Sequence, residues 1–276
     1  MAANKPLVSV LMTVYNRQDY IAEAIQSVLN SSFTDWELVI VDDGSADQSY
    51  EIARKIAAKN AKIRLSRNGS NLGQFANRDK AASLAKGKYI KYLDSDDLIY
   101  PHGLQVMVDA MEKFPEAAFG MPGLPNGDEP YPIKHDGHEG VRKHFLDGNY
   151  FAFGPSALIF KKESFDAIGG FGDNPYVGSD TEIMIRLANK YDYVTMSPSL
   201  IWWRSHDQQE IKQGHSSNQY YLEGYHRTRA MIEECSNALG AQKSIALKKL
   251  RNLYISQSLR LIKAGHYKPV LELLKK

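Results

Sequence analysis

Hydrophobic and polar positions follow two alternating patterns along the first third of the chain. The apolar runs VSVLMTVY at 8–15 and ELVIVDD at 37–43 are short and rich in β-branched residues, which predicts buried strands. Apolar positions that recur at helical spacing fill the stretches 20–29 and 47–59 that follow them. This alternation predicts an α/β fold with a mostly parallel sheet and helices on its faces.

The rest of the chain is read in the same way. Further strands are predicted at 62–66, 89–93, 157–160, 193–196 and 200–204, and further helices at about 74–86, from about 180, and beyond 219. Residues 122–132 are rich in Pro, Gly and acidic residues, which predicts a loop. The chain therefore consists of an α/β part followed by a helical part.

Charge is unevenly distributed between these parts. The 276 residues have a net charge of +2, yet after residue 240 the chain is strongly basic and Glu272 is its only acid. We favour an amphipathic helix packed on the α/β part, and the alternative is a basic surface held against an anionic membrane. Nucleic-acid binding is not expected, because no recognition motif accompanies the charge.

Other features of the chain predict its compartment. No apolar run is long enough to span a membrane, and the N-terminal stretch lacks the flanks of a signal peptide. The lone cysteine, Cys235, fits a reducing environment. We expect a cytoplasmic protein. If the basic tail is held against an anionic membrane, the protein would lie at the inner face of that membrane.

A cluster of carboxylates follows the strand predicted at 89–93. Asp94, Asp96 and Asp97 in LDSDD repel one another, so the cluster either lies in water as a turn or holds a cation. Ligands of parallel sheets bind outside the carboxyl ends of the strands. Since no glycine-rich phosphate loop is present, we favour a divalent metal here that also binds the phosphates of a nucleotide.

Several segments, in their order along the chain, resemble the family 2 glycosyltransferases: VSVLMTVYN, VDDGS, NLG, LDSDD, and GSDTEIMIRL followed by WWRSH. The resemblance covers roughly residues 6–210. It implies a GT-A fold, an inverting mechanism, a nucleotide-sugar donor (in the first place a UDP-sugar) and Mn²⁺ or Mg²⁺ as the cofactor. The implied acceptor is a hydroxyl of a glycan or lipid-linked glycan, in the biosynthesis of cell-envelope polysaccharide.

The resemblance also implies a domain organisation. We expect a GT-A domain over residues 1–215, with its nucleotide-sugar half at about 1–121 and its acceptor half at about 150–215. A basic helical extension over residues 216–276 would follow this domain.

Roles for individual residues follow from the resemblance. Asp180 resembles the catalytic base, although Ser179 and Glu182 around it also match a capping box that would make it structural. Asp96, Asp97 and His206 resemble the metal site. The nucleotide-binding positions are Thr13, Tyr15, Asn16, Asp43, Arg78, Asp94 and Asp96.

Two alternatives to a glycosyltransferase remain. One is a glycosidase that uses paired carboxylates and needs no nucleotide. The other is a non-catalytic module that binds a nucleotide-sugar without turnover, against which the presence of Asp180 argues.

Overall fold

The computed structural model describes residues 5–125, 129–172, 178–207 and 219–274. The chain forms two compact units. The first comprises Met1–His135, Phe153–Pro175 and Tyr191–Arg204, and the second comprises Asp136–Ala152, Tyr176–Lys190 and Ser205–Lys276. The domain boundary that we expected between residues 215 and 216 lies outside the described residues and stays a prediction.

The strands all belong to the first unit. They are β1 (Val8–Val14), β2 (Trp36–Asp42), β3 (Ile63–Arg67), β4 (Tyr89–Tyr92), β5 (Leu98–Ile99), β6 (Phe119–Pro122), β7 (Ile133–His135), β8 (Ile159–Lys161), β9 (Tyr193–Met196) and β10 (Ile201–Trp202). Within the described residues, eight of them form one sheet in the order β3-β2-β1-β4-β8-β6-β9-β7, and β5 pairs with β10.

The main sheet is mostly parallel, as the sequence predicted. Strand β1 runs parallel to β2 and β4, β2 to β3, and β6 to β9. Strand β8 is antiparallel to β4 and β6, and β7 is antiparallel to β9.

Helices belong to both units. Those of the first unit are α1 (Ile21–Leu29), α2 (Ser49–Ala57), α3 (Gln74–Leu84), α4 (Gly103–Lys113) and α6 (Lys162–Ala167). Those of the second are α5 (Gly137–Asp147), α7 (Ser179–Ala188), α8 (Gln219–Glu234), α9 (Ser236–Leu239), α10 (Lys243–Lys263) and α11 (Tyr267–Leu274). The predicted helical C-terminal part is confirmed. Among the described helices, none has the length and apolar character to cross a bilayer.

The central strands are fixed by burial on both faces of the sheet. Val10 and Leu11 of β1 and Leu38 and Val39 of β2 are at most 1% exposed, and successive strand residues point to opposite faces, as expected where helices cover both faces of a parallel sheet. Removing this much apolar surface from water is the main stabilising contribution to the fold. The core therefore holds the strand ends, and the residues that follow them, in fixed positions.

A buried polar cluster fixes where β4 begins. The hydroxyl of Ser9 donates a hydrogen bond to Glu37 Oε1 (2.7 Å) and accepts one from the backbone N–H of Gly87 (2.9 Å). A side chain at residue 87 would stand 2.5 Å from the backbone nitrogen of Ser9, so only glycine fits. This close approach sets the register of β4 beside β1.

The region after β6 differs from the prediction. The loop predicted at 122–132 is followed by strand β7 and helix α5, which the sequence analysis did not identify. The three residues of β7 pair with β9, and His135 Nε2 lies 2.8 Å from Thr195 Oγ1. A strand of three residues is too short to show a hydrophobic pattern of its own. Its formation depends on pairing with β9, which is distant in the sequence.

The strand predicted at 157–160 is shifted. Pro155–Ala157 form a turn of 3₁₀ helix, and the strand β8 covers Ile159–Lys161 instead. Proline fixes its own backbone φ and lacks an N–H group, which favours a helical turn over a ladder position here.

Candidate active site

The carboxyl ends of β1, β2 and β4 lie next to one another at one edge of the sheet. Val14 pairs with Asp42, and the backbone N–H of Asp43 donates to the Val14 carbonyl (2.8 Å). On the other side of β1, the N–H of Leu93 donates to the Leu11 carbonyl (2.9 Å). The polar segments after these three strands therefore meet, as the sequence predicted.

Asn16 ties the first two strand ends together. Its backbone adopts a positive φ of 52°, its N–H donates to Ser45 Oγ (3.0 Å), and its side-chain oxygen accepts from the N–H of Ala46 (2.9 Å). The neighbouring Tyr15 side chain is 47% exposed, and Thr13 is half-buried. Asn16 thus shapes this edge, while Tyr15 offers an aromatic surface to solvent.

The carboxylate of Asp43 organises the loop before α3. It accepts hydrogen bonds from Asn68 Nδ2 (2.6 Å), from the N–H of Leu72 (2.9 Å) and from the N–H of Gly73 (3.0 Å). Gly73 has φ 86° and ψ 158°, a region that essentially only glycine occupies. Both Asp43 oxygens therefore hold the loop in shape, and its role in nucleotide binding stays a prediction.

Two arginines neutralise two of the clustered carboxylates. Arg78, which is buried, donates to Asp94 Oδ1 (2.8 Å), and Arg17 Nε donates to Asp96 Oδ2 (2.9 Å). Burial alone would raise the pKa of Asp94, but the charge of Arg78 and hydrogen bonds from Arg78 and Ser156 lower it on balance. Arg78 was predicted near the nucleotide from the sequence, and Arg17 was not.

Asp97 is the carboxylate without such a partner. Its side chain is 1% exposed, and Oδ1 accepts a hydrogen bond from the backbone N–H of Arg204 (3.1 Å). In the described part of the chain, no group donates a hydrogen bond to its buried Oδ2. Burial, followed by the negative charge of Asp94, raises the pKa of Asp97 to about 7.

These features fit a divalent metal. A buried carboxylate oxygen without a donor is costly unless a cation neutralises it, and carboxylates are the ligands that Mg²⁺ and Mn²⁺ prefer. Over the residues that the structure describes, no group of three His, Cys, Asp or Glu side chains could hold a metal by itself. A metal at Asp97 would therefore need further ligands such as water and substrate phosphates, as is usual for Mg²⁺.

A buried lysine lies three residues before the cluster. Lys91 Nζ donates to the carbonyl of Tyr92 (2.5 Å) and to the carbonyl of Ser156, while Ser156 Oγ accepts from the N–H of Asp94 (2.9 Å). Burial lowers the pKa of Lys91 to about 7, although Asp94 and Asp97 act in the opposite direction. The sequence analysis missed this residue, whose signal was a lysine inside the apolar run YIKYL.

Arg204 also contacts the carboxylate cluster. Its Nε donates to the Asp96 carbonyl (2.9 Å), and its NH2 group pairs with Glu23 (2.6 Å). The guanidinium also lies over the rings of Trp202 (4.7 Å) and Tyr20 (5.0 Å). The segment WWRSH thus contributes an arginine to this site, where the sequence analysis had singled out only its histidine.

Asp180 and His206 belong to the second unit. Asp180 lies half-buried in the first turn of α7, where the helix dipole favours a negative charge. The capping box that we considered for Ser179 and Glu182 is not formed, because Gly178 precedes the helix and no side chain caps it. His206 is half-buried. The roles of Asp180 as the base and of His206 as a metal ligand stay predictions.

A protein-family model matches more than half of the chain. Residues 9–169, more than half of its length, match the family described as Glycosyl transferase family 2, and the chain belongs to this family. The resemblance noted from the sequence is therefore confirmed. Family membership also favours a glycosyltransferase over the glycosidase alternative.

Curated relatives match over a limited region. An uncharacterized glycosyltransferase of Haemophilus influenzae is 40% identical over 108 residues, which cover 39% of this chain and 43% of the relative. The putative glycosyltransferase EpsE of Bacillus subtilis is 39% identical over 109 residues, which cover 39% of each protein. The match thus spans about two fifths of the length of these relatives.

Solved structures share the fold over most of the chain. Staphylococcus aureus TarS 1–349 in complex with UDP-GlcNAc has a TM-score of 0.69 at 21% identity, covering 90% of this chain and 72% of that one. Mannosyltransferase PcManGT from Pyrobaculum calidifontis in complex with GDP-Man and Mn²⁺ has a TM-score of 0.61 at 15% identity, covering 99% and 87%. At these identities the likeness shows the fold alone, and the GT-A fold class is confirmed.

Proposed function

We propose that the protein is an inverting glycosyltransferase that moves a sugar from a nucleoside diphosphate sugar, in the first place a UDP-sugar, to a hydroxyl group of a glycan or lipid-linked acceptor. The observation that carries this proposal is the buried Asp97 oxygen, to which no described residue donates a hydrogen bond, at the carboxyl end of β4 in a family 2 chain. The complex of TarS with UDP-GlcNAc supports a UDP-sugar as the donor.

The donor side of the site would hold the diphosphate through its carboxylates. Asp97 Oδ2 is available as a metal ligand, and Asp96 stands next to it with its carboxylate already paired with Arg17. Mn²⁺ or Mg²⁺ bound there would supply positive charge against the departing diphosphate. The complex of PcManGT with Mn²⁺ supports this choice of cofactor, and His206 is proposed as a further ligand.

The acceptor side needs a base. In a single displacement, the acceptor oxygen forms a bond to the anomeric carbon while the bond from that carbon to the diphosphate breaks. The hydroxyl proton passes to Asp180, and the electron pair of the broken bond leaves with the nucleoside diphosphate. Such a base contributes about 10²–10⁴-fold to the rate.

The names of several relatives support a role in polysaccharide biosynthesis. They include a putative teichuronic acid biosynthesis glycosyltransferase of Bacillus subtilis, a putative colanic acid biosynthesis glycosyl transferase of Escherichia coli and a chondroitin synthase of Escherichia coli. We therefore propose that the acceptor is a growing cell-envelope glycan.

Replacement of the proposed base tests this function. The variant Asp180→Asn should lose at least about 10²-fold in transfer from a UDP-sugar, because it removes the group that accepts the proton. Its affinity for UDP in the presence of Mn²⁺ should stay close to that of the wild type. Transfer is measured as UDP release that depends on an added glycan acceptor.

Glu182→Gln is the matched control, since Glu182 is a second half-buried acid in the first turn of α7. This variant should keep its activity. Full activity of Asp180→Asn would disprove the assignment of the base. A wild-type protein that binds UDP-sugars but releases no UDP with any acceptor would point to the non-catalytic binding module.

A further inference from the structure

Among the described residues, helix α10 packs in the second unit through one side. Ala246 and Leu250 are buried on that side, and the ring of Tyr254 lies 5.0 Å from the ring of Tyr225. The hydroxyl of Tyr221 lies 2.6 Å from Ser258 Oγ on the next turn. These contacts join α10 to helix α8 of the same unit, and packing of the basic tail on the α/β part stays a prediction.

The opposite side of the same helix exposes large apolar residues. Ile255 is 51% exposed, Leu259 54% and Ile262 37%. Spacings of four and three residues place these side chains on one face of a helix. Ile245, two turns and more before them, is 48% exposed. Single exposed apolar residues need no explanation, but a row of them on one element marks a surface for interaction.

The charged residues of α10 itself are all positive. The charged residues of α10 are Lys243, Lys248, Lys249, Arg251, Arg260 and Lys263. Lys243 pairs with Glu233, and Lys249 donates to the carbonyl of Leu146. Within the described residues, no carboxylate pairs with Lys248, Arg251, Arg260 or Lys263. We define the basic apolar face of α10 as Ile255, Leu259 and Ile262 together with Arg260 and Lys263.

Helix α11 also exposes apolar residues and a lysine, and it contains the acid Glu272. It follows α10 after a turn at Gly265, whose φ is 81°. Its residues Tyr267 and Leu271 are 58% and 57% exposed, and Lys268 is exposed as well. An aromatic ring with a polar end and a lysine with a long apolar stem are side chains that suit a boundary between water and an apolar phase.

We propose that the basic apolar face of α10 docks on the surface of an anionic phospholipid bilayer. Ile255, Leu259 and Ile262 would enter the boundary of headgroups and acyl chains, and Arg260 and Lys263 would lie among the lipid phosphates. Such a surface carries negative charge at the headgroups and is apolar beneath them. A helix that combines an apolar row with unpaired positive charge and no acid complements both of these properties. A protein partner would have to supply carboxylates around an apolar groove. This inference is independent of the proposed function, because it concerns binding and requires no turnover.

Co-sedimentation of the full chain with vesicles tests the proposal. The protein should bind vesicles of phosphatidylglycerol and phosphatidylcholine at low salt, and high salt should weaken this binding because surface charges are screened. Vesicles of phosphatidylcholine alone should bind at least about tenfold less protein. The double variants Ile255→Ser with Leu259→Ser, and Arg260→Glu with Lys263→Glu, should each reduce binding at least about tenfold.

Matched controls separate the face from general effects of charge and hydrophobicity. Leu124→Ser removes an apolar side chain that is 74% exposed in the first unit, and Lys55→Glu with Lys59→Glu reverses two exposed charges there. Both controls should bind the vesicles like the wild type. Circular dichroism and thermal midpoints establish that every variant is folded.

Three results would overturn the proposal: no binding to anionic vesicles, equal binding to neutral and anionic vesicles, or reduction by the control variants to the same extent. Light scattering adds a further outcome. If the protein binds no vesicles but forms a dimer that Ile255→Ser with Leu259→Ser abolishes, a second copy of the chain occupies the face instead.

Discussion

The carboxylates after β4 and the cations of α10 represent two ways in which a folded chain treats like charges that are close in sequence. Asp94, Asp96 and Asp97 are largely withdrawn from solvent, and two of them pair with arginines at 2.8 and 2.9 Å. Arg260 and Lys263 lie in water without an ion pair to any described residue. Burial requires a partner for each charge, whereas exposure requires none.

This difference explains where a ligand can act. At the buried cluster, Asp97 Oδ2 is a buried carboxylate oxygen to which no described group donates a hydrogen bond, and it marks the position that an added cation would occupy. At the exposed helix no single atom is distinguished, and the complementary partner is a large surface of negative charge. The first arrangement suits a defined chemical site, and the second suits a broad, salt-sensitive contact.

The largest expected effect concerns the ion pair of Arg78. Arg78→Ala should lower the free energy of unfolding by about 2 kcal/mol, because it leaves the carboxylate of Asp94, whose side chain is 31% exposed, without its countercharge. Arg54→Ala is the matched control, since Arg54 forms an ion pair of similar length with Glu51 on the surface of α2 (2.7 Å). This control should cost less than about 1 kcal/mol. Urea unfolding of both variants makes the comparison, and equal losses would contradict it.

The next effect is a pH dependence that comes from Asp97. Its pKa is raised from 3.8 to about 7, so the folded chain holds a proton at this carboxyl that the unfolded chain releases. The stabilisation is complete below pH 4 and is lost as the pH rises through 7.

Asp97→Asn should remove this decline, which is measured by urea unfolding without metal between pH 4 and pH 8. Asp109→Asn is the control, because Asp109 is an exposed acid on α4. A decline of unchanged size in Asp97→Asn would show that another group is responsible.

The smallest effect is expected on the exposed face of α10. Leu259→Ser and Lys263→Glu should each change the free energy of unfolding by no more than about 0.5 kcal/mol, since neither side chain is buried or paired. Chemical denaturation measures this as well. A loss of 2 kcal/mol or more, on the order of a buried substitution, would mean that the face packs against part of the protein.

The parts of the fold that the sequence revealed are those with a strong local pattern. Strands β1 and β2 and the strand at 193–196 were predicted within a residue or two, because continuous apolar runs are needed for burial on both faces of a sheet. Strand β7 was missed because its existence depends on pairing with β9 rather than on its own residues.

The candidate site shows the same division. The carboxylates after β4 could be located from the sequence, since parallel strand ends share one edge. The contacts of Arg17 and Arg204 with Asp96 could not be, because they join residues 79 and 108 positions apart and depend on how the chain folds back. The sequence also did not reveal which buried carboxylate oxygen receives no hydrogen bond from the described residues, because this depends on the positions of all these partners.

The central claim is that Asp97 holds the metal that binds the donor diphosphate. Calorimetric titration of UDP into the wild type, Asp97→Asn and Asp109→Asn, each with and without Mn²⁺, tests it most directly. We expect the wild type and Asp109→Asn to bind UDP at least about tenfold more tightly with Mn²⁺ than without it, and Asp97→Asn to show no such gain. If UDP binds equally well without Mn²⁺, or if Asp97→Asn keeps the full gain, the claim is wrong.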